Sequence, residues 1–156
     1  MKKISLFYLI AIIGIIGCSK ETSEKVSNVK STKELIQANE WVMTAYTINP
    51  GLVLSGDTVS DLFSQIADCD KDGFVKFTNY DTIIYNNGLL KCLPNEPKET
   101  YTRYLINNDS SITEYFPNYS ITYTILSLNE TTLIYTLESN EQNIKRKNTL
   151  TFEKRK

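Results

Sequence analysis

Between residues 100 and 152 the chain holds ten Thr, six Tyr and no Gly, and its apolar positions recur at every second residue. β-Branched and aromatic side chains suit a pleated, half-buried surface, and a period of two puts alternate residues on opposite faces of a strand. Tyr119, Ile121, Tyr123 and Ile125 alternate with Ser120, Thr122 and Thr124. Leu133, Tyr135 and Leu137 alternate with Ile134, Thr136 and Glu138, and Leu150 and Phe152 with Thr149, Thr151 and Glu153. The phase slips between Ile125 and Leu128, which predicts a β-bulge. Asn129-Glu130 reads as a hairpin turn, and 138–143 as a longer polar connection.

Further strands are expected at 41–48, ended by Asn49-Pro50-Gly51, at 74–77, and at 82–85, closed by Asn86-Asn87-Gly88. Residues 101–106 and 112–116 form a hairpin around 107–111. The exception is 59–67, where Leu62, Phe63, Ile66 and Ala67 recur at helical spacing after Asp57-Thr58, a candidate N-cap. The expected fold is therefore all-β: about eight antiparallel strands with one short helix after the first. Tight turns in a single domain of about this size favour an up-and-down barrel, which leaves few open edges.

The N-terminus constrains address rather than fold. Lys2 and Lys3, an apolar run over 4–16 and the small Gly17 are the three parts of a secretory signal over residues 1–17. The run is shorter than the roughly 20 residues of a membrane-spanning helix. Ile15-Ile16-Gly17-Cys18 resembles the lipobox of bacterial lipoproteins, which implies cleavage before Cys18 and acylation of its sulfur and nitrogen. Two acyl chains anchor stably where one does not. Residues 18–33 are polar and of alternating charge, with no apolar period, and read as the lipidated N-terminus followed by a flexible tether. No Asp follows Cys18, which by resemblance favours the outer membrane, and Lys20-Glu21 leaves the periplasmic face and the cell surface both open. The barrel domain then occupies 34–156.

Cys69 and Cys92 remain as a pair in an exported protein, where disulfides persist. A bridge would close a loop of about 24 residues and contribute about 3 to 3.5 kcal/mol; the alternative is two free thiols. Asp68-Cys69-Asp70-Lys71-Asp72-Gly73 matches the first half of an EF-hand loop, but Lys76 and Asn79 stand at its ninth and twelfth positions. Two readings stay open: a tight acidic turn, or a weak surface calcium site on Asp68, Asp70 and Asp72. Asp57-Thr58-Val59, in a loop, and Asp81-Thr82-Ile83, in a strand, fit a short bacterial O-glycosylation pattern.

The chain has no His, which excludes imidazole-based nucleophile activation, proton transfer and metal ligation. Glu114, Glu138 and Glu153 fall at polar-patterned positions and read as solvated, and no Gly-rich phosphate loop is present, so neither catalysis nor a cofactor is expected. Loss of Lys2 and Lys3 from 17 basic and 18 acidic residues leaves a net charge of about −3, which offers no face for nucleic acid. Lys145-Arg146-Lys147 reads as a solvated sheet edge.

Trp41 early in the first strand, an insertion ending at Cys69, the acidic turn Asp70-Lys71-Asp72, Phe74-x-x-Phe77, Cys92, a Tyr-rich middle and Thr132-Leu133-x-Tyr135 together resemble the lipocalin-like lipoproteins of the Bacteroidota. Asn39 stands where lipocalins have the Gly of Gly-x-Trp. The resemblance spans nearly the whole mature domain. It implies a barrel whose inner face, with Trp41, Tyr101, Tyr123, Tyr135 and Phe152, holds a small apolar or amphipathic ligand. The alternative is a barrel filled by its own side chains, with loops 89–99 and 107–111 contacting an envelope protein. An enclosed apolar volume of at least roughly 300 Å³ would favour the ligand.

Overall fold

The computed structural model describes residues 29–141 and 143–156. The segment read as a signal peptide, Cys18 and most of the segment read as a tether lie outside the described residues. Nine strands form one sheet: β1 (Glu40–Leu54), β2 (Asp57–Asp61), β3 (Phe74–Phe77), β4 (Thr82–Asn86), β5 (Glu99–Asn107), β6 (Ser111–Tyr115), β7 (Ser120–Leu128), β8 (Thr132–Glu141) and β9 (Ile144–Lys154). From β3 onward each strand pairs antiparallel with the next, and β1 pairs with both β3 and β9. The sheet therefore closes on itself as an eight-stranded up-and-down barrel, with β2 as an extra strand hairpinned onto the far half of β1. Closure leaves no long row of unpaired backbone groups.

The period-two pattern sets which face is inside. Ile112 and Glu114 of β6, Tyr123 of β7, Leu133 and Tyr135 of β8, and Leu150 and Phe152 of β9 all point inward, around a core that includes Trp41, Phe77, Ile83 and Tyr104. Phe77 and Tyr104 meet edge to face, with ring centroids 5.2 Å apart, a geometry that aligns the positive ring edge with the negative face. The expected bulge lies between Ile125 and Ser127, opposite Tyr135 and Ile134. A second one falls between Met43 and Ala45 of β1.

Three expectations are corrected. Asp57–Asp61 is strand rather than the start of a helix, because Val59 and Thr58 find partners in Leu52 and Val53 of β1. Helical geometry after it is confined to a 3₁₀ turn (Phe63–Gln65) and α2 (Asp68–Lys71); Thr58 is thus exposed on a strand, not in a loop. Of the cluster 145–147, Lys145 and Lys147 are exposed as expected, but Arg146, in step with Asn148, Leu150 and Phe152, points inward and is buried. Its Nη1 donates to the carbonyls of Pro50 (2.9 Å) and Gly51 (2.7 Å).

One end of the barrel is closed by α1 (Thr32–Gln37), which begins inside the segment read as tether. Ser31-Thr32-Lys33-Glu34 forms a capping box: the Ser31 hydroxyl accepts from the Glu34 N–H (3.2 Å), and the Glu34 carboxylate accepts from the Ser31 N–H (2.7 Å). Ile36 is fully buried, and its carbonyl accepts the Trp41 indole N–H at 2.8 Å. The helix and its flanks reach each turn at this end. Lys33 pairs with Asp81 (2.9 Å), Thr32 donates to the Asp109 carbonyl (3.1 Å), and Lys30 and Asn39 both bond Glu130.

Candidate functional site

The opposite end is entered beneath two loops, 62–73 and 87–98. Cys69 and Cys92 are joined by a disulfide, with Cα atoms 5.3 Å apart, so the two loops are stapled together. Asp72 adds a second tie, since its Oδ2 accepts the N–H groups of Leu89 (2.7 Å) and Leu90 (2.9 Å). Those two donors hold its carboxyl below the usual carboxylate range. Gly88, at φ +73°, is required here, because a Cβ would collide with the Asp72 carboxylate.

This wiring engages two of the three carboxylates of the calcium reading. Asp68 to Lys71 is a helical turn, Asp68 pairs with Lys71 (3.2 Å), and Asp72 is turned toward the neighbouring loop. The one metal-like grouping among the described residues is Cys69, Asp70 and Cys92, and both of its sulfurs are consumed in the disulfide.

Under the loops lies a cavity of about 240 Å³, walled by Trp41, Met43, Tyr85, Tyr123, Tyr135 and Phe152, with Asp70, Lys71 and Asn87 around its mouth. Space thus remains beneath the loops at this end, above a core of packed side chains. The volume falls short of the roughly 300 Å³ expected of a ligand-holding barrel, so it leaves room only for a compact guest. Tyr135 packs between Tyr123 (centroids 4.6 Å) and Phe152 (5.2 Å), so one wall is continuously aromatic.

Four of the five residues expected on the inner face, Trp41, Tyr123, Tyr135 and Phe152, meet in this cavity. Tyr101 does not. On β5 the inward positions are Thr102, Tyr104 and Ile106, and Tyr101 is 62% exposed on the outside, bonded to Glu99 at 2.7 Å. A shift of one residue along a strand exchanges its faces.

Glu114 is the larger departure, because it is 1% exposed rather than solvated. Tyr85 and Thr102 each donate to its Oε1 at 2.6 Å, and Tyr123 to its Oε2 at 3.3 Å. Burial, then the charge and hydrogen bond of Glu114, push the Tyr85 and Tyr123 hydroxyls well above the usual phenol range. Burial does the same to Tyr135, with Tyr123 and Glu114 adding to it. Sequence reasoning missed Glu114 and Tyr85, although each follows a core Ile at a spacing of two (Ile112, Ile83) and shares its face.

No protein-family model matches the chain, and no curated protein matches it. Among solved structures, bovine odorant-binding protein in complex with a selenium-containing odorant aligns at 13% identity and a TM-score of 0.43, over 81% of this chain and 74% of that one. The same bovine protein with undecanal aligns at 12% and 0.42, over 75% and 70%. At such values the architecture rests on the chain's own strand order.

Proposed function

We propose that this protein is a lipid-anchored lipoprotein of the bacterial cell envelope whose lipocalin-like barrel binds a small apolar or amphipathic ligand. The observation that carries the binding reading is the 240 Å³ cavity on which Trp41, Tyr123, Tyr135 and Phe152 converge. A preformed, mainly apolar hollow with a few polar groups is what small-ligand sites have in common. The anchoring reading rests on residues 1–18 alone: the signal pattern, the lipobox-like Ile15-Ile16-Gly17-Cys18 and the polar segment after it. It places the domain at the outer membrane, on its periplasmic or outer face. No catalytic role is assigned to any residue.

A second reading, a protein-interaction module, is favoured by one feature. Leu89 and Leu93 on the β4–β5 loop are 91% and 66% exposed beside the disulfide, and isolated apolar side chains held out on a fixed loop suit contact with a partner.

Trp41 is the chain's single tryptophan and lines the cavity, so its fluorescence reports occupancy. Compact neutral compounds such as 2-phenylethanol should shift or quench it saturably and raise the melting temperature. Absence of both effects up to millimolar concentration, for neutral and for charged compact compounds alike, would overturn the ligand reading. For the anchor, Cys18→Ser should leave membrane fractions or stall in processing, and a processed Cys18→Ser chain that stays membrane-bound would overturn it.

A further inference from the structure

Glu114 is a carboxyl group buried in the barrel with only hydroxyl partners: Tyr85, Thr102 and Tyr123. Among the described residues no ion pair reaches it. Burying a carboxylate without a counter-charge is expensive, so its presence asks for a use. Its position suggests one, because two of its three partners, Tyr85 and Tyr123, also form the cavity wall.

A phenol has one proton to give. Tyr85 and Tyr123 have committed theirs to Glu114, so toward the cavity their oxygens can only accept. A guest that meets them must bring a donor. The other walls include the aromatic side chains of Trp41, Tyr135 and Phe152 beside the apolar Met43, Val75 and Leu150, and aromatic rings offer a cation a favourable face. Behind both stands the carboxylate. Acceptor-only oxygens and aromatic rings act with the same sign, and the Glu114 carboxyl adds to it whenever a cation draws it into the ionised form, favouring a cationic donor over an anion. Two cations stand at this end and both are engaged elsewhere: Lys71 at the mouth with Asp68 at 3.2 Å and over the Phe63 ring at 5.5 Å, and buried Arg146 with the carbonyls of Pro50 and Gly51.

We infer that the cavity selects a compact organic ammonium ion, an amine on an apolar alkyl or aryl body, with its N–H groups donated to the Tyr85 and Tyr123 oxygens and Glu114 as the counter-charge behind them. This rests on the proposal that the cavity holds a ligand at all, and the experiment separates the two. Phenethylamine, 2-phenylethanol and phenylacetate share one body and differ in the head group. Each is titrated at pH 7 into the full chain in detergent, followed by calorimetry and Trp41 fluorescence. The amine should bind at least about tenfold tighter than phenylacetate, the alcohol falling between, since like-charge juxtaposition costs several kcal/mol and 1.4 kcal/mol is a factor of ten. In Glu114→Gln, which keeps the shape and removes the charge, that preference should collapse. Phenylacetate binding as tightly as the amine would overturn the inference while leaving the cavity reading intact, as would an amine preference that survives Glu114→Gln. Failure of all three compounds, the neutral alcohol included, would overturn the cavity reading and the inference with it. Should Glu114→Gln not fold, the ranking in the unaltered chain decides alone.

Discussion

The two ends of the barrel are built from different materials. At the α1 end a capped helix plugs the opening with Ile36, and ion pairs and hydrogen bonds tie it to the turns at Asp81, Asp109 and Glu130. At the other end a disulfide and a single Asp72 carboxylate hold two loops over a hollow lined by tyrosines and backed by buried Glu114, while buried Arg146 and Asn148 line β9 on the same side. The first end is filled by a buried Ile, and the second keeps a mainly apolar hollow with buried polar side chains behind it. The plug and the hollow thus lie at opposite ends of one sheet, joined by Trp41, which bonds Ile36 on one side and lines the cavity on the other.

The division can be tested from the junction outward. Trp41→Ala removes the largest buried side chain from both ends at once and should cost about 3 to 5 kcal/mol, read as a shift in denaturant midpoint. A loss under about 1 kcal/mol would mean that the ends do not share this anchor. Removing the disulfide as Cys69→Ser with Cys92→Ser should cost about 3 kcal/mol by chain entropy. Hydrogen exchange should then rise in 62–73 and 87–98 while 32–37 stays as protected relative to the global stability. Equal loosening at both ends would break the comparison. The smallest effect is expected for Ser31→Ala, which deletes one half of the capping box and should cost about 1 kcal/mol. Affinity for a cavity probe should be unchanged, and a weakened affinity would show that the closed end does reach the site.

Much of this was legible without coordinates, and the failures have specific causes. Alternation placed β7, β8 and β9 and the bulge at Ile125, because side chains on a half-buried strand record its faces directly. The Cys69–Cys92 pairing followed from counting. The short helix expected after the first strand is present, but displaced from 59–67 to the 3₁₀ turn Phe63–Gln65 and α2, because the protruding half of β1 offered Asp57–Asp61 a ladder of hydrogen bonds. Tyr101 was placed inside by residue type when its strand parity pointed outward, and Glu114 outside by polarity when its parity pointed inward. The capping box at Ser31 was present as Ser-x-x-Glu but lay in a stretch whose composition suggested only a tether.

What the amino-acid order determined by itself is the strand pattern, the turns and the absence of imidazole chemistry, since these depend on local periodicity and residue type. Only the tertiary structure decided which strand closed the barrel, which end was plugged and where the hollow remained. Those outcomes depend on pairings between residues far apart, such as Trp41 with Lys154 across the closure. The environment of Glu114 belongs there too: hydroxyls from β4, β5 and β7 meet one carboxyl on β6 only after the sheet has curled, and no window of sequence contains all four.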